Sequence, residues 1–239
     1  MKILAVECSA GPASAALMED GKIISNAFCN VKITHSQTLM PMVECVLKAA
    51  GVSLAEIDGF AVGAGPGSFT GIRIGISAIK GMAQAKNLPC AAVSTLRAMA
   101  ENYLESDCIV CGVMDARANQ VYNAFFDITG GKVRRICKDR AISIADLSEE
   151  IKKISQSVKK SVIIVGDGTD VFFKSVENIP CVVKSEEVKR YQNACGIATA
   201  SVDIFRTNNA VSPDELLPTY LRLPQAESEL KKKRSGENL

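Results

Sequence analysis

The sequence predicts an α/β protein built from two similar halves. Each half has three hairpin-linked strands followed by helix, strand, helix, strand and helix, and the second half is the reduced one. Three observations carry this. Two glycine turns, Asp20-Gly21 and Gly130-Gly131, lie between short apolar runs and read as hairpins. They stand about a hundred residues apart, the size of one small domain. After each turn the apolar spacing changes from a strand pattern to alternating helices and strands. The halves share no evident residue identity, so the duplication rests on element order.

In order, KILAVEC is a short apolar run suited to a buried strand, and ASAALM and KIISNAFCNV flank the first turn. From Ser36 to Ala50 the spacing predicts a helix with Leu39, Met42, Val43, Val46 and Leu47 on one face and Gly51 as its stop. Pro41 lies inside it, so the helix either starts late or kinks there. GFAVGA (59–64) is a strand, 68–86 a helix, CAAVS (90–94) a strand and 95–103 a helix. In the second half CIVCGVM (108–114), QVYNAFFD (120–127) and KVRRICK (132–138) are strands, and 144–158 is a helix. SVIIVG (161–166) and CVVK (181–184) are strands, separated by a short helix over 169–174, and a last helix covers about 192–205. The organisation expected is a first subdomain over 1–104, joined by the helix around 192–206, a second over 105–191, and an extended arm with a polar tail over 207–239. This duplicated order is the layout of the actin, sugar-kinase and Hsp70 superfamily (the actin-like, ASKHA or ribonuclease H-like fold), in which nucleotide lies between the halves; the analogy assigns no function.

Composition narrows the function classes. Apolar residues make up 47% of the 239, enough for a packed core. A net charge of +2 is too mild for a strong free-standing nucleic-acid binder. The KKKR run at 231–234 is read as a solvated tail in preference to a nucleic-acid contact. Nine cysteines scattered through apolar segments indicate a reducing cytoplasm. Cys108 and Cys111 have CxxC spacing but fall on one strand, where i and i+3 point to opposite faces, so they are expected in the core. MKILAVECSA reads as a strand and not as a secretory leader, and no run approaches the ~20 apolar residues of a membrane span. A cytoplasmic protein is expected.

The segment GAGPGSFTGIRIG (63–75) looks like a phosphate loop and fails the tests for one. No Lys follows a suitably spaced Gly, as a Walker A loop requires. In the dinucleotide pattern G-x-G-x-x-G, the last position is Ser68 in one register and Thr70 in the other. Ser68 can cap the following helix, and that N-terminus could still hold an anion weakly. Within the helix, Gly71, Gly75 and Ala78 share a face. Each interior glycine costs about 1 kcal/mol relative to Ala, and close approach of another backbone would offset it. Phe69, Ile72, Ile76, Ile79 and Ala83 occupy an adjoining face suited to the core. The small face is expected against a neighbouring helix, either that over 36–50 or one from another protein.

The chain resembles the TsaB (YeaZ) family. LAVECSA is similar to the family's opening strand, and His35-Ser36-Gln37-Thr38-Leu39-Met40-Pro41 to its H-S-x-x-L-x-P segment. Gly65 to Gly75 matches its GPGSFTG block, followed by Lys80-Gly81. Ser94 to Ala100, Asp115-Ala116-Arg117, Val121-Tyr122 and Pro218 to Arg222 match its later motifs in order. One departure is Glu7, where the family usually has Asp; in kinases of the superfamily that carboxylate helps organise metal and phosphate.

The resemblance implies a non-catalytic subunit that supports formation of threonylcarbamoyladenosine at position 37 of tRNAs reading ANN codons. It implies docking on the catalytic relative TsaD, with the ATPase TsaE completing the assembly, and homodimers through the same helices when alone; tRNA is engaged only through the complex. No cofactor or metal and no catalytic residue is implied for this chain. TsaD holds metal partly through a His-x-x-x-His pair, whereas this chain has one histidine, His35, with Leu39 at the second position. The implied docking face is carried by the helices over 36–50 and 68–86. Its expected residues are His35, Ser36, Leu39, Met42, Val43, Phe69, Gly71, Arg73, Gly75 and Ala78. Arg73 is expected to pair with a carboxylate or a nucleotide phosphate. His35 also reads simply as a helix-start residue. Asp115 and Arg117 are expected as a turn-stabilising ion pair, and Gly166-Asp167-Gly168-Thr169 as a turn in preference to a second phosphate loop. The competing readings are an ATP-dependent small-molecule kinase on the same fold and, last, a glycoprotease-type peptidase, for which no HExxH or G-x-S-x-G motif exists.

Overall fold

The structure is a computed structural model and describes residues 1–176 and 179–222. The first half contains β1 (Lys2–Glu7), β2 (Ala13–Glu19), β3 (Lys22–Cys29), α1 (His35–Ala50), β4 (Gly59–Gly65), α2 (Phe69–Gln84), β5 (Cys90–Ser94) and α3 (Thr95–Ala100). The second contains β6 (Cys108–Asp115), β7 (Gln120–Thr129), β8 (Lys132–Arg135), β9 (Arg140–Ser143), α4 (Ile144–Ser157), β10 (Val162–Val165), α5 (Thr169–Ser175), β11 (Val182–Lys184), α6 (Glu187–Arg190) and α7 (Ala194–Arg206). The first sheet has the order β3-β2-β1-β4-β5 and the second β11-β10-β6-β7-β8, with β9 on the far end of β7. In each sheet the meander is antiparallel, and the later strands join the first strand in parallel. The two halves therefore share one topology, as the element order predicts.

Alternation along β1 explains how helices cover both faces. Leu4, Val6 and Cys8 enter one core with Leu39, Val43 and Val46 of α1 and Ile72, Ile76 and Ile79 of α2. Ile3 and Ala5 point the other way, against Ala194, Ile197 and Ala198 of α7. So α7, the last helix among the described residues, packs on the first sheet. Truncating a fully buried side chain here, such as Leu39, would cost about 2–5 kcal/mol. Cys108 and Cys111 are both buried, on opposite faces of the second sheet, as core cysteines.

Several details differ from the sequence reading. The helix α1 starts at His35 and runs through Pro41, so it does not start late. The strand expected over 132–138 ends at Arg135, and the chain returns as β9 to pair with the start of β7. Asp115 and Arg117 do not form an ion pair: the Arg117 backbone N–H donates to Asp115 Oδ1 at 2.7 Å, closing a turn. That turn holds Arg117, Ala118 and Asn119 all at positive φ. The 231–234 run lies outside the described residues.

Candidate functional site

The segment after β4 is held from three sides. Ser68 is the N-cap of α2, its Oγ accepting from Gly71 N at 3.3 Å. Its own backbone N–H donates to Ser9 O at 2.6 Å, joining the loop to the turn after β1. Gly67 has φ +157° and Gly65 φ +117°, and a Cβ on either would strike backbone carbonyl oxygen, that of Ser9 or of Thr219. The loop is therefore packed against the chain's own backbone at both glycines.

Thr219 belongs to an arm that follows α7. The arm starts at the β5 edge, where Val211 and Cys90 exchange backbone hydrogen bonds of 2.8 and 2.9 Å. Leu216 is fully buried in the first core. Thr219 N donates to Ala64 O at 2.7 Å. Tyr220 then stacks on Phe69, ring centroids 4.8 Å apart, and Arg222 donates to Ala116 O in the second half. The arm thus ties the two halves together across the mouth between them.

Inside that mouth lie acids from both halves. Glu7, at the end of β1, is 0% exposed; its Oε1 accepts from Ser9 N at 2.5 Å and its Oε2 has no partner. Its room comes from Gly63, where any Cβ would collide with Oε2. Burial pushes the Glu7 carboxyl up to about 7, with nearby Asp167 adding in the same sense. Asp167, in the loop after β10, is raised to about 6, first by burial and then by Asp115, and its Oδ1 is also unpartnered. The Cys8 thiol is pushed up to about 12 by burial and donates to Gly71 O at 3.1 Å, so it is not placed as a nucleophile. Among the described residues no group of three His, Cys, Asp or Glu side chains could hold a metal ion.

The residues expected on the docking face divide into two groups. Leu39 and Val43 lie in the core of the first half, because both sit on the α1 stripe that meets β1 and β2. Gly71 and Gly75 turn inward as well: a Cβ on Gly71 would strike Cys8 O, and one on Gly75 would lie 3.0 Å from Cys8 Sγ. The two glycines bring α2 close to the end of β1; Gly71 also borders α1, where a Cβ would lie 3.3 Å from His35 Cδ2, while Gly75 meets Cys8 and Val62. For these four the expectation of a partner contact is corrected: the chain's own core already fills their surroundings.

The others lie toward the outside. Ser36 and Arg73 are exposed, and His35, Met42, Phe69 and Ala78 are half-buried. His35 Nε2 is 2.7 Å from Ala10 O, a carbonyl that can only accept, so Nε2 carries a proton and pins α1 to the β1–β2 turn. Met40, 46% exposed, and Tyr220, 38% exposed, extend this face and were missed as candidates. For Met40 the signal lay in its position off the apolar stripe of α1. Arg73 lies with its guanidinium 3.8 Å above the Phe69 ring, and its Nε donates to Tyr220 Oη at 2.8 Å.

This arrangement defines a class: a two-half actin-like α/β protein whose loop before α2 packs on its own backbone and whose first two helices carry Met40 and Arg73 on a mixed polar outer face. The TsaD family model, described as tRNA N6-adenosine threonylcarbamoyltransferase, matches residues 23–228. The tRNA threonylcarbamoyladenosine biosynthesis protein TsaB of Escherichia coli (strain K12) is 40% identical over 224 residues, 93% of this chain and 95% of that protein. The protein of the same name from Bacillus subtilis (strain 168) is 27% identical over 95% of this chain and 97% of its own length. The solved structure of YeaZ from Pseudomonas aeruginosa superposes with a TM-score of 0.78 at 25% identity, covering 92% of this chain and 99% of that one. The chain belongs to the TsaB family.

Proposed function

We propose that this chain is the non-catalytic subunit of a tRNA threonylcarbamoyladenosine-forming complex. It docks on a TsaD-type catalytic subunit through the outer faces of α1 and α2 and supports transfer of the threonylcarbamoyl group to N6 of adenosine 37 in tRNAs reading ANN codons. A TsaE-type ATPase completes the complex, tRNA is reached only through it, and without the catalytic subunit the same face closes on a second copy. The complex works in the cytoplasm; among the described residues no helix is long and apolar enough to cross a membrane.

The observation that carries this reading is the occupied loop. Ser9 O and Thr219 O stand against Gly67 and Gly65, so the loop before α2 is closed by the chain's own backbone at both glycines. What remains open to solvent is a helical face bearing Ser36, Met40, Arg73 and the partly covered Met42, Phe69 and Ala78. Buried Leu39, Val43, Gly71 and Gly75 shape this face from beneath. The test reconstitutes tRNA modification from purified TsaD-type and TsaE-type subunits with and without this chain, alongside ATP titration of the chain alone by calorimetry. Modification that depends on the chain, with no nucleotide heat, is expected. Turnover of ATP by the isolated chain would instead establish the kinase reading.

A further inference from the structure

We infer that Arg73 is the residue that makes the docking face select an acidic partner over a second copy of this chain, and that Tyr220 of the arm is the positioning residue that aims it. This rests on the docking reading above and names the chemistry of its contact: a carboxylate on the TsaD-type catalytic subunit.

Four observations converge. Arg73 is exposed on α2, yet held from two sides, by the Phe69 ring below its guanidinium and by Tyr220 Oη on its Nε. The Phe69–Tyr220 stack, 28° between ring planes, fixes the phenol that accepts this bond. Among the described residues Arg73 has no carboxylate partner, so the outward guanidinium N–H groups are available as a planar fork. Finally, α2 contains no Asp or Glu at all, and α1 contains only Glu44. A second copy docking through the same helices would bring another Arg73 and a single acid. A partner bearing carboxylates brings the complement, and like charges across an interface oppose binding.

An arginine already held in its bound geometry loses little freedom on pairing, and buried Arg and aromatic side chains dominate interface energetics. The arm thus belongs to the docking face: it supplies the tyrosine that sets Arg73.

The test measures affinity of the full chain for the purified TsaD-type subunit, at low and high salt, with thermal melts of every variant. Arg73→Ala is expected to weaken binding about 10–100-fold, the range of a charge-assisted hydrogen-bonded pair. Arg73→Lys keeps the charge, loses the fork, and should recover only part of the affinity. Tyr220→Phe keeps the stack, removes the Nε acceptor, and should weaken binding about 3–10-fold with an unchanged melt. Raising the salt should shrink each difference. In sedimentation of the chain alone, Arg73→Ala should leave self-association unchanged or tighten it. If Arg73→Ala and Tyr220→Phe bind like the wild type, the inference falls while the docking reading stands. It also falls if Arg73→Ala weakens the homodimer as much as the heterodimer. If the wild-type chain does not bind the catalytic subunit at all, both fall together.

Discussion

The loops that follow β4 and β10 occupy equivalent places in the two halves, and they have diverged in instructive ways. Each leaves a parallel strand next to the first strand of its sheet, turns on glycine and enters a helix. In both, backbone carbonyls stand against the glycines: Ser9 O and Thr219 O against Gly67 and Gly65, and Val113 O against Gly166. The helix after the first loop has 16 residues and a serine cap; the one after the second has 7 and no side-chain cap. The second loop carries a partly shielded acid, Asp167, whose Oδ1 has no partner, where the first carries Pro66. Two loops at equivalent places thus serve different ends. One is the base of a long helix with Arg73 and Phe69 on its outer face, and the other a short turn holding an acid in a place hostile to its charge.

The sharpest break of this comparison is at Gly71. If the first loop is held by contact with β1, Gly71→Ala drives a methyl into Cys8 O and should cost roughly 3 kcal/mol or more in urea unfolding, since rigid backbone cannot yield. A small change would show that α2 can slide outward.

The buried acids come next. An acid whose folded pKa is raised binds its proton more tightly in the folded state. For Glu7 the fold is therefore most favoured below about pH 4.5, and stability drains away as pH rises toward 7. Glu7→Gln keeps an acceptor for Ser9 N–H and should gain on the order of 2 kcal/mol at pH 8, with no gain at pH 4. Asp167→Asn should behave likewise over a narrower window, between the ordinary 3.8 and about 6, gaining about 1 kcal/mol at pH 8. Equal gains at pH 4 and pH 8 would remove titration as the cause.

A smaller effect separates the two ends of the mouth. Thr219→Pro deletes the N–H that donates to Ala64 O and should cost about 1 kcal/mol, with the loss confined to amide exchange near β4. Smallest of all, Arg117→Gly should gain a few tenths to 1 kcal/mol, because φ +62° strains a residue with a Cβ. A loss there would mean that the Arg117 side chain does more than occupy the turn.

Periodicity located nearly every element here because the apolar stripes are clean: Ile72, Ile76 and Ile79 on α2 could face only a core. It missed β9, since Arg140–Ser143 has no apolar run and becomes a strand only by pairing with β7. The inward turn of Gly71 and Gly75 was illegible for a different reason. Small residues announce a close approach without naming the neighbour, and the neighbour, Cys8, lies more than sixty positions away in sequence. Leu39 and Val43 carried a readable signal, their place on the α1 stripe, that pointed to the core. Arg73 and Phe69 were legible as surface candidates, but their union with Tyr220 depends on the path of the arm, which no local pattern encodes.

Where two halves of a fold meet at a waist, hinge motion is the default unless contacts oppose it. Here the last described residues run like a bolt through that waist, fastened at Ala64 on one side and at Ala116 on the other. Each tie opposes relative movement of the halves by the worth of a hydrogen bond, about 1 kcal/mol. Cutting the chain just before Thr219 removes both ties and should let the halves move more freely, read as faster amide exchange along β4 and the turn at Ala116.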